Sequence, residues 1–296
     1  MIFLNQLIQG TFLGAYYALV ACSLSFLFGV MRIVNLAHGS LVVLAAFLLF
    51  VLADRAGISP WLGFVAVIPV MAVLGWLLQR LVLDRSLSGG LLVPLLSTFG
   101  LAIVLDNLMF QQFGADTRSL APFIGDLSFN SWPLTDDIAI GQLDVLILVV
   151  AVGLLGGVQL LLSRTSLGRA IRATAEDPAT VGLVGIDARA VYALATAVAM
   201  AMATVAGAFL AMRTTFDPYS GSAQLIFAFE AVVIGGFGSL WGTLAGGIVL
   251  GVAQNIGAFI SPHFFLIAGH VVFLAALVAR VWLGGLNLRR FRVRAA

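Results

Sequence analysis

Lysine is absent from this 296-residue sequence, cysteine occurs once, and charged residues make up only 9% of the chain. The lone Cys22 excludes an intrachain disulfide scaffold. A soluble domain is about a quarter charged, whereas this chain is 61% hydrophobic with a mean hydropathy of +1.12, which excludes a soluble globular or disordered protein. No stretch reads GxxxxGK[ST], so the chain holds no P-loop. The net charge of +2 is too small to indicate binding of nucleic acid.

The hydrophobic residues come in runs close to the ~20 residues with which a helix spans a bilayer. The pattern predicts an all-α polytopic membrane protein with one transmembrane domain over residues 1–296. No charged residue precedes Arg32, so the first run is expected to stay as a membrane helix and not to be a cleaved signal peptide. Breaks in hydropathy predict eight full spans, at 4–30, 36–53, 60–79, 91–112, 143–163, 189–211, 240–260 and 263–283.

A ninth apolar segment, 225–237, has thirteen residues. It reaches only about 20 Å as a helix, less than the ~30 Å hydrocarbon core. The segment is therefore expected to be a half-helix or a re-entrant element. A broken element at membrane depth indicates a transport pathway.

The arginine distribution predicts the orientation, since cytoplasmic loops are enriched in basic residues. An external N-terminus and a cytoplasmic C-terminus place twelve of the fifteen arginines inside and leave Arg55, Arg118 and Arg213 outside. In this arrangement residues 113–142 form the external loop and residues 164–188 the longest cytoplasmic connection. The internal arginines are Arg32, Arg80, Arg85, Arg164, Arg169, Arg172, Arg189, Arg280, Arg289, Arg290, Arg292 and Arg294.

The connection 164–188, called here the coupling segment, carries two helix signals. Apolar residues at helical spacing predict a first short helix, in which Arg172 and Glu176 are expected to form an i,i+4 pair. Asp177 followed by Pro178 predicts the start of a second helix, and Gly185 is expected to end it with a positive φ. A chain reversal needs only ~2–8 residues, so the length and capping favour an interaction surface over a solvated loop.

Four polar side chains are predicted near or inside apolar spans. Asn35 and His38 share one helix face and are expected either to form an interhelical hydrogen bond or to line a pathway. Asp106 and Glu230 lie well inside apolar segments, where an ionised acid costs roughly 2.5–3.5 kcal/mol on insertion scales. They are expected to face protein or water, with a pathway role and a structural role both open.

Glycines and histidines complete the candidate residues. Gly238, Gly242 and Gly246 are spaced four apart, which allows close helix packing and could form an interface with a partner permease. His263 and His270 lack a neighbouring cysteine or carboxylate in the sequence, so no metal site is expected. Ser239 and His270 do not indicate an intramembrane serine protease, because Phe237 replaces the first glycine of a GxSxG turn.

Several motifs resemble the permeases of ABC importers of the branched-chain amino acid class, in the order found in that family. They are Gly29-Val-Met-Arg-Ile-Val-Asn-Leu-Ala-His-Gly39, Ser97-Thr-Phe-Gly-Leu with Asn107 and Phe113-Gly114, Gly168-Arg-Ala-Ile-Arg-Ala with Glu176, Asp177, Gly185 and Ile186, and Val233-Ile-Gly-Gly-Phe-Gly-Ser-Leu-Trp-Gly242. Two residues depart from the family pattern: Ser40 stands where an acidic residue is usual, and Asp106 where glutamine is common.

The resemblance implies a bacterial inner-membrane permease subunit that is not itself an enzyme. It implies two partner ATPases that bind ATP and Mg²⁺, a second related permease or a second copy, and a periplasmic binding protein, with no cofactor on this chain. The residues expected to contact the ATPase are Gly168, Arg169, Arg172, Ala173, Glu176, Asp177, Gly185 and Ile186. The expected pathway residues are Asn35, His38, Asp106, Asn107, Glu230, Gly235 and Gly236.

The resemblance makes a branched-chain or related amino acid the expected cargo, with urea, amides or aromatic acids as alternatives carried by relatives. A stand-alone ion-coupled transporter is the alternative class. It accounts for the buried acids and the short segment, but not for the capped coupling segment.

Overall fold

The computed structural model describes residues 2–90, 92–135 and 138–294. Asp136 and Asp137 of the external loop, and the side chains of the basic tail from Arg289 onward, lie outside the described part. The helices are α1 (Ile2–Met31), α2 (His38–Ala56), α3 (Pro60–Leu78), α4 (Asp84–Ser86), α5 (Leu92–Phe113), α6 (Gln142–Arg164), α7 (Ser166–Glu176), α8 (Ala188–Arg213), α9 (Gly221–Gly235), α10 (Leu240–Ile260) and α11 (Phe264–Arg294). A π-helical turn, Gln79–Leu83, joins α3 to α4.

The prediction of eight full spans and one short segment is confirmed over the described residues. Eight helices are long and apolar enough to cross a membrane, and the shorter apolar helix is α9. Helix α9 covers Gly221–Gly235 where 225–237 was predicted. The start of α9 was missed because Ser220, Gly221 and Ser222 resemble a loop in composition.

Glycine contacts hold the centre of the bundle together. Helix α10 packs between α1 and α9, with Gly247 and Gly251 against α1 and Gly242 and Gly246 against α9. A Cβ atom on any of these glycines would overlap backbone atoms of the neighbouring helix. Close backbone approach of this kind is the main source of attraction between helices in lipid, where burial of apolar side chains gains little. Helix α1 is consequently 89% buried along its span.

The peripheral helices are much less covered. Within the span, only 17% of α5 and 6% of α11 are buried by the rest of the chain. Both helices present rows of exposed large apolar side chains, such as Leu96 and Leu108 on α5. These faces fit a surrounding of lipid or a further membrane subunit.

Contacts at the chain reversals define two opposite ends of the bundle. At one end the antiparallel hairpin of β1 (Ser131–Thr135) and β2 (Ile138–Gly141) contacts the start of α1, where Gln9 donates to the Ala139 carbonyl at 2.9 Å. Arg213 at the end of α8 pairs with Asp144 at the start of α6, 3.2 Å apart. At the other end α7 packs beneath α1, α6 and α8. The external loop and the coupling segment therefore lie at opposite ends, as the sequence predicts.

Candidate functional site

The coupling segment is a rigid, well-capped structure. The Thr165 hydroxyl accepts from the backbone N–H of Gly168 at 2.9 Å and starts α7. Gly168 lies directly against the Leu161 and Leu162 backbone at the end of α6, where a Cβ atom would overlap both residues. Ile171 and Thr174 turn inward and are buried, which leaves Arg169, Arg172 and Glu176 on the exposed face. Ala173 is half-buried between the two faces.

The second half of the segment differs from the predicted short α-helix. It is a turn followed by a 3₁₀ helix, Val181–Val184. Asp177 ends α7, and its carboxylate accepts from the N–H groups of Ala179 and Thr180 at 3.0 and 3.3 Å. These bonds form a tight Asx turn, and four residues after it are too few for an α-helix. The hydroxyl of Thr180 and the backbone N–H of Ala179 hold the pKa of Asp177 below its usual value.

Two further predictions for this segment have opposite outcomes. Gly185 ends the 3₁₀ helix at φ +80°, so the predicted positive φ is confirmed. The predicted Arg172–Glu176 pair is wrong: among the ion pairs of the described residues none joins them. Both side chains are exposed, where an i,i+4 pair contributes only a few tenths of a kcal/mol and competes with hydration.

Sequence reasoning missed the most exposed apolar residues of the segment. Leu183 and Val184 are 88% and 74% exposed, immediately before Gly185. Ile186, which was predicted to contact a partner, is only half-exposed. The available signal was two aliphatic residues in a polar loop between a helix start and a left-handed glycine. Two adjacent, largely exposed aliphatic side chains on a capped surface segment make this segment a candidate protein-binding site.

A second polar region lies inside the bundle, where the chain between α1 and α2 turns back toward its centre. His38 Nε2 donates to the Val20 carbonyl at 2.8 Å, and Val20 lies eleven residues before the end of α1, or about 16 Å along the helix axis. Helix α2 therefore begins deep in the bundle. Its first residues meet the start of α9, where Gly39 touches the Gly221 backbone.

The interior polar cluster consists of Asn35, His38, Ser40, Thr98 and Asp106. The Thr98 hydroxyl accepts from Leu36 N–H at 3.1 Å, which ties the loop to α5, and the Ser40 hydroxyl lies near the Asp106 carboxyl. Asp106 is 9% exposed. Its carboxylate lies beside the first turn of α2, where the helix dipole favours negative charge. The two departures from the family pattern thus lie in contact with each other.

Three polar atoms of this cluster are buried without a hydrogen-bond partner in the described part of the chain: Asn35 Nδ2, His38 Nδ1 and Asp106 Oδ1. Because His38 Nε2 donates to a carbonyl, its Nδ1 is the acceptor. The cluster thus offers one donor and two acceptors. Such atoms cost free energy unless another group satisfies them.

Glu230 belongs to a different contact, between α9 and α11. Its carboxylate pairs with His270 Nδ1, while Glu230 Oε2 is buried and has no hydrogen-bond partner among the residues that the structure describes. The carboxylate is 3% exposed and the imidazole 44%. The structure therefore gives Glu230 a bonded position between α9 and α11.

Three other predicted pathway residues do not line the interior. Asn107 is exposed on the outer face of α5, and its side chain donates to the Ile103 carbonyl at 2.7 Å. It follows Asp106 in sequence, but adjacent residues of a helix point in different directions, so the Asn107 side chain points outward. Gly235 packs against the Gly242 backbone, and Gly236 ends α9 at φ +104°. These two glycines permit close packing and a sharp turn.

The predicted glycine row also needs correction. Gly238 precedes α10 in a turn at φ +75°, where it faces Gly29 and not a helix neighbour. Gly242 and Gly246 do form a packing surface, which is confirmed, but they face α9 of the same chain. The suggested interface with a partner permease stays a prediction for these residues: Gly238 is exposed, whereas Gly242 and Gly246 pack within this chain.

The bundle has eight spans, helix α2 begins deep inside it, and α9 is shorter than a full span. One end carries the capped coupling segment. Together these features define the class as a membrane transport subunit. The family described as branched-chain amino acid transport system / permease component matches residues 6–280. The high-affinity branched-chain amino acid permease protein BraD of Pseudomonas aeruginosa is 31% identical over 86% of each chain. The corresponding LivH of Escherichia coli is 29% identical over 88% of each chain.

A more distant relative, the fructose import permease protein FrcC of Rhizobium meliloti, is 26% identical over 74% of this chain and 61% of its own. The chain thus belongs to the branched-chain amino acid permease family of ABC importers. It is a multi-pass inner-membrane permease subunit without an ATPase of its own.

Proposed function

We propose that this permease imports a branched-chain or related small amino acid delivered by a periplasmic binding protein. The names of BraD and LivH support this cargo. The interior polar cluster supports it chemically, because an amino acid carries both an ammonium group and a carboxylate. Asp106 Oδ1 and His38 Nδ1 are acceptors suited to an ammonium, and Asn35 Nδ2 is a donor suited to a carboxylate.

Transport is driven by two ATPase subunits that bind ATP and Mg²⁺ and dock on the coupling segment. The observation that carries this assignment is the exposure of Leu183 and Val184 on a segment whose backbone is fixed at Thr165, Asp177 and Gly185. Aliphatic side chains of this kind fill a pocket on a partner, while the exposed Arg169, Arg172 and Glu176 set its orientation. A rigid segment passes movement of the ATPases to α6 and α8.

A second permease subunit, either a related chain or a second copy, covers the exposed face of α5. Asn107 lies on that face between Val104 and Leu108, which are 53% and 55% exposed. An asparagine facing lipid is unfavourable, whereas at a helix–helix interface it can hydrogen-bond across. The second subunit would place the interior polar clusters of two chains around a common path.

The orientation follows the arginine bias, with the coupling segment in the cytoplasm. Single cysteines at Ser119 and Ala175, in a Cys22→Ser background, are treated in intact cells with a membrane-impermeant thiol reagent. We expect labelling at position 119 and none at 175. Labelling at 175 alone would reverse the proposed topology.

Co-purification tests the assembly. The tagged chain is isolated in a mild detergent from its native host, and its partners are identified by mass spectrometry. We expect an ATPase together with a second permease or a second copy. Recovery of a single monomeric chain with full amino acid uptake would favour an ion-coupled transporter.

A further inference from the structure

A cavity at the end of α3 serves neither the coupling segment nor the interior polar cluster. Its volume is about 390 Å³, and its lining consists of Arg80, Asp84, Arg85 and Arg189. Three guanidinium groups face one carboxylate, so the lining carries an excess of positive charge. The cavity lies at the coupling end of the bundle, since Arg189 is in the first turn of α8 directly after the coupling segment.

The carboxylates near the cavity are already engaged by the protein. Asp84 accepts from Gln79 Nε2 at 2.8 Å, and Gln79 in turn accepts from the Thr196 hydroxyl on α8 at 2.8 Å. Asp187, next to Arg189 in sequence, caps the start of α8 through the Arg189 backbone N–H at 3.0 Å. These bonds fix the walls of the cavity, but their donors are neutral, so the excess is that of three lining guanidinium groups over the Asp84 carboxylate.

Arg80 has a hydrogen-bond donor that the protein does not use. Its Nη1 lies 3.9 Å from Asp84 Oδ2, beyond hydrogen-bond distance. Its Nε is buried and without an acceptor among the described residues. The Arg80 side chain is 33% exposed and lines the cavity, so its other guanidinium N–H groups can reach an oxyanion that accepts more than one hydrogen bond, as a phosphate does.

The surroundings of the cavity indicate that this anion comes from the bilayer. Val73 on α3 and Leu81 on the π-helical turn are 58% and 56% exposed, so apolar side chains are exposed along the helix that leads to Arg80. Trp76 is exposed on the same helix, and the Arg80 guanidinium lies 5.8 Å from its ring. Tryptophan beside arginine at the end of an apolar span is typical of the lipid headgroup level.

We propose that this cavity binds the headgroup phosphate of an anionic phospholipid. The phosphate lies between Arg80, Arg85 and Arg189, and the acyl chains lie along Val73 and Leu77. Basic pockets between transmembrane helices at the cytoplasmic side bind anionic headgroups in this way. The bound lipid would hold α3 to the start of α8, beside the coupling segment.

Native mass spectrometry of the delipidated full chain tests the proposal, with phosphatidylglycerol and phosphatidylcholine as probes at equal concentration. We expect the first lipid bound to be phosphatidylglycerol with a preference of about tenfold, the order that a desolvated charge contact supplies. The Arg80→Gln/Arg85→Gln variant should lose the preference. Arg80→Lys/Arg85→Lys should keep most of it, since the charge remains. The matched control, Arg55→Gln at the opposite end, should leave it unchanged.

A competition arm separates a lipid headgroup from a soluble anion. Inorganic phosphate is added at a large excess over phosphatidylglycerol, and we expect no displacement, because free phosphate lacks the acyl contacts. Displacement would assign the cavity to a soluble anion and overturn the lipid proposal. Equal binding of both lipids, or a preference that survives Arg80→Gln/Arg85→Gln in protein with an unchanged melting temperature, would also overturn it.

Discussion

The two polar regions of this permease, the coupling segment and the interior polar cluster, differ in whether their polar groups have hydrogen-bond partners. In the coupling segment, the carboxylate of Asp177 and the hydroxyl of Thr165 cap exposed backbone N–H groups, and the apolar Leu183 and Val184 project outward. In the interior polar cluster, Asn35, His38 and Asp106 are buried and each has a polar atom without a partner in the described part of the chain. The first region pairs its own polar groups and exposes apolar side chains, whereas the second leaves buried polar atoms unpaired among the described residues.

The largest expected difference between the two regions is in the effect of a glycine-to-alanine substitution on stability. Gly39→Ala would place a Cβ atom on the Gly221 backbone, and overpacking costs about 1–3 kcal/mol or more where backbone must move. Gly182→Ala in the coupling segment meets open space and should change stability by less than about 0.5 kcal/mol. Thermal unfolding followed by fluorescence-detected size-exclusion chromatography compares the two. A Gly39→Ala variant as stable as Gly182→Ala would contradict the described packing.

Loss of the exposed aliphatic side chains should remove docking without unfolding the chain. We expect Leu183→Asp/Val184→Asp to weaken ATPase association by about 30-fold or more, the effect of losing a buried interface anchor. Co-purification and the melting temperature are measured together. Phe129→Ala, which removes a side chain 77% exposed at the opposite end, is the matched control. Normal association of the double variant would exclude these residues as anchors.

Removal of one interior charge should affect uptake and leave assembly intact. Asp106→Asn keeps the volume and an acceptor for Ser40, but it removes the negative charge beside α2. We expect about a tenfold fall in amino acid uptake, the scale of one charge-assisted hydrogen bond, with unchanged ATPase co-purification. Asp126→Asn in the exposed external loop is the control. Unchanged uptake by Asp106→Asn would leave the carboxylate with a structural role only.

Backbone strain at the end of the 3₁₀ helix should have a smaller effect. Gly185 has φ +80° and open space around it, so Gly185→Val costs of order 1 kcal/mol from the left-handed conformation alone. We expect ATPase association about fivefold weaker, and Gly182→Val should preserve it. Glu176→Arg should change association through the partner's charges, because Glu176 forms no ion pair with the other described residues. Substrate-stimulated ATP hydrolysis measures both variants.

The smallest expected effect is a pH dependence of the Asx turn. Because the pKa of Asp177 is lowered in the fold, its stabilising contribution is complete above the unfolded value of about 3.9 and is lost as the pH falls through the folded value. The protection that this turn gives the N–H groups of Ala179 and Thr180 against hydrogen exchange should therefore be the same at pH 7 and pH 5. Loss of protection in that range, corrected for intrinsic rates and absent in Asp177→Asn, would contradict the assignment.

Sequence reasoning located the spans because hydropathy is a local property. It also predicted the left-handed Gly185, since the same local residues determine that conformation. It could not predict that His38 bonds Val20, that Ser40 meets Asp106 or that Glu230 meets His270, because these contacts depend on how distant helices pack. Asn107 was grouped with Asp106 for the same reason: adjacent positions on a helix point in different directions.

Uptake of leucine by proteoliposomes tests the central claim that this chain supplies a path but not the energy. The purified chain alone is compared with the complex containing its ATPases, second permease and binding protein, with and without internal ATP. The account predicts uptake only by the complex with ATP, and its loss in the complex carrying Leu183→Asp/Val184→Asp. Concentrative uptake by the chain alone, driven by an ion gradient, would contradict it.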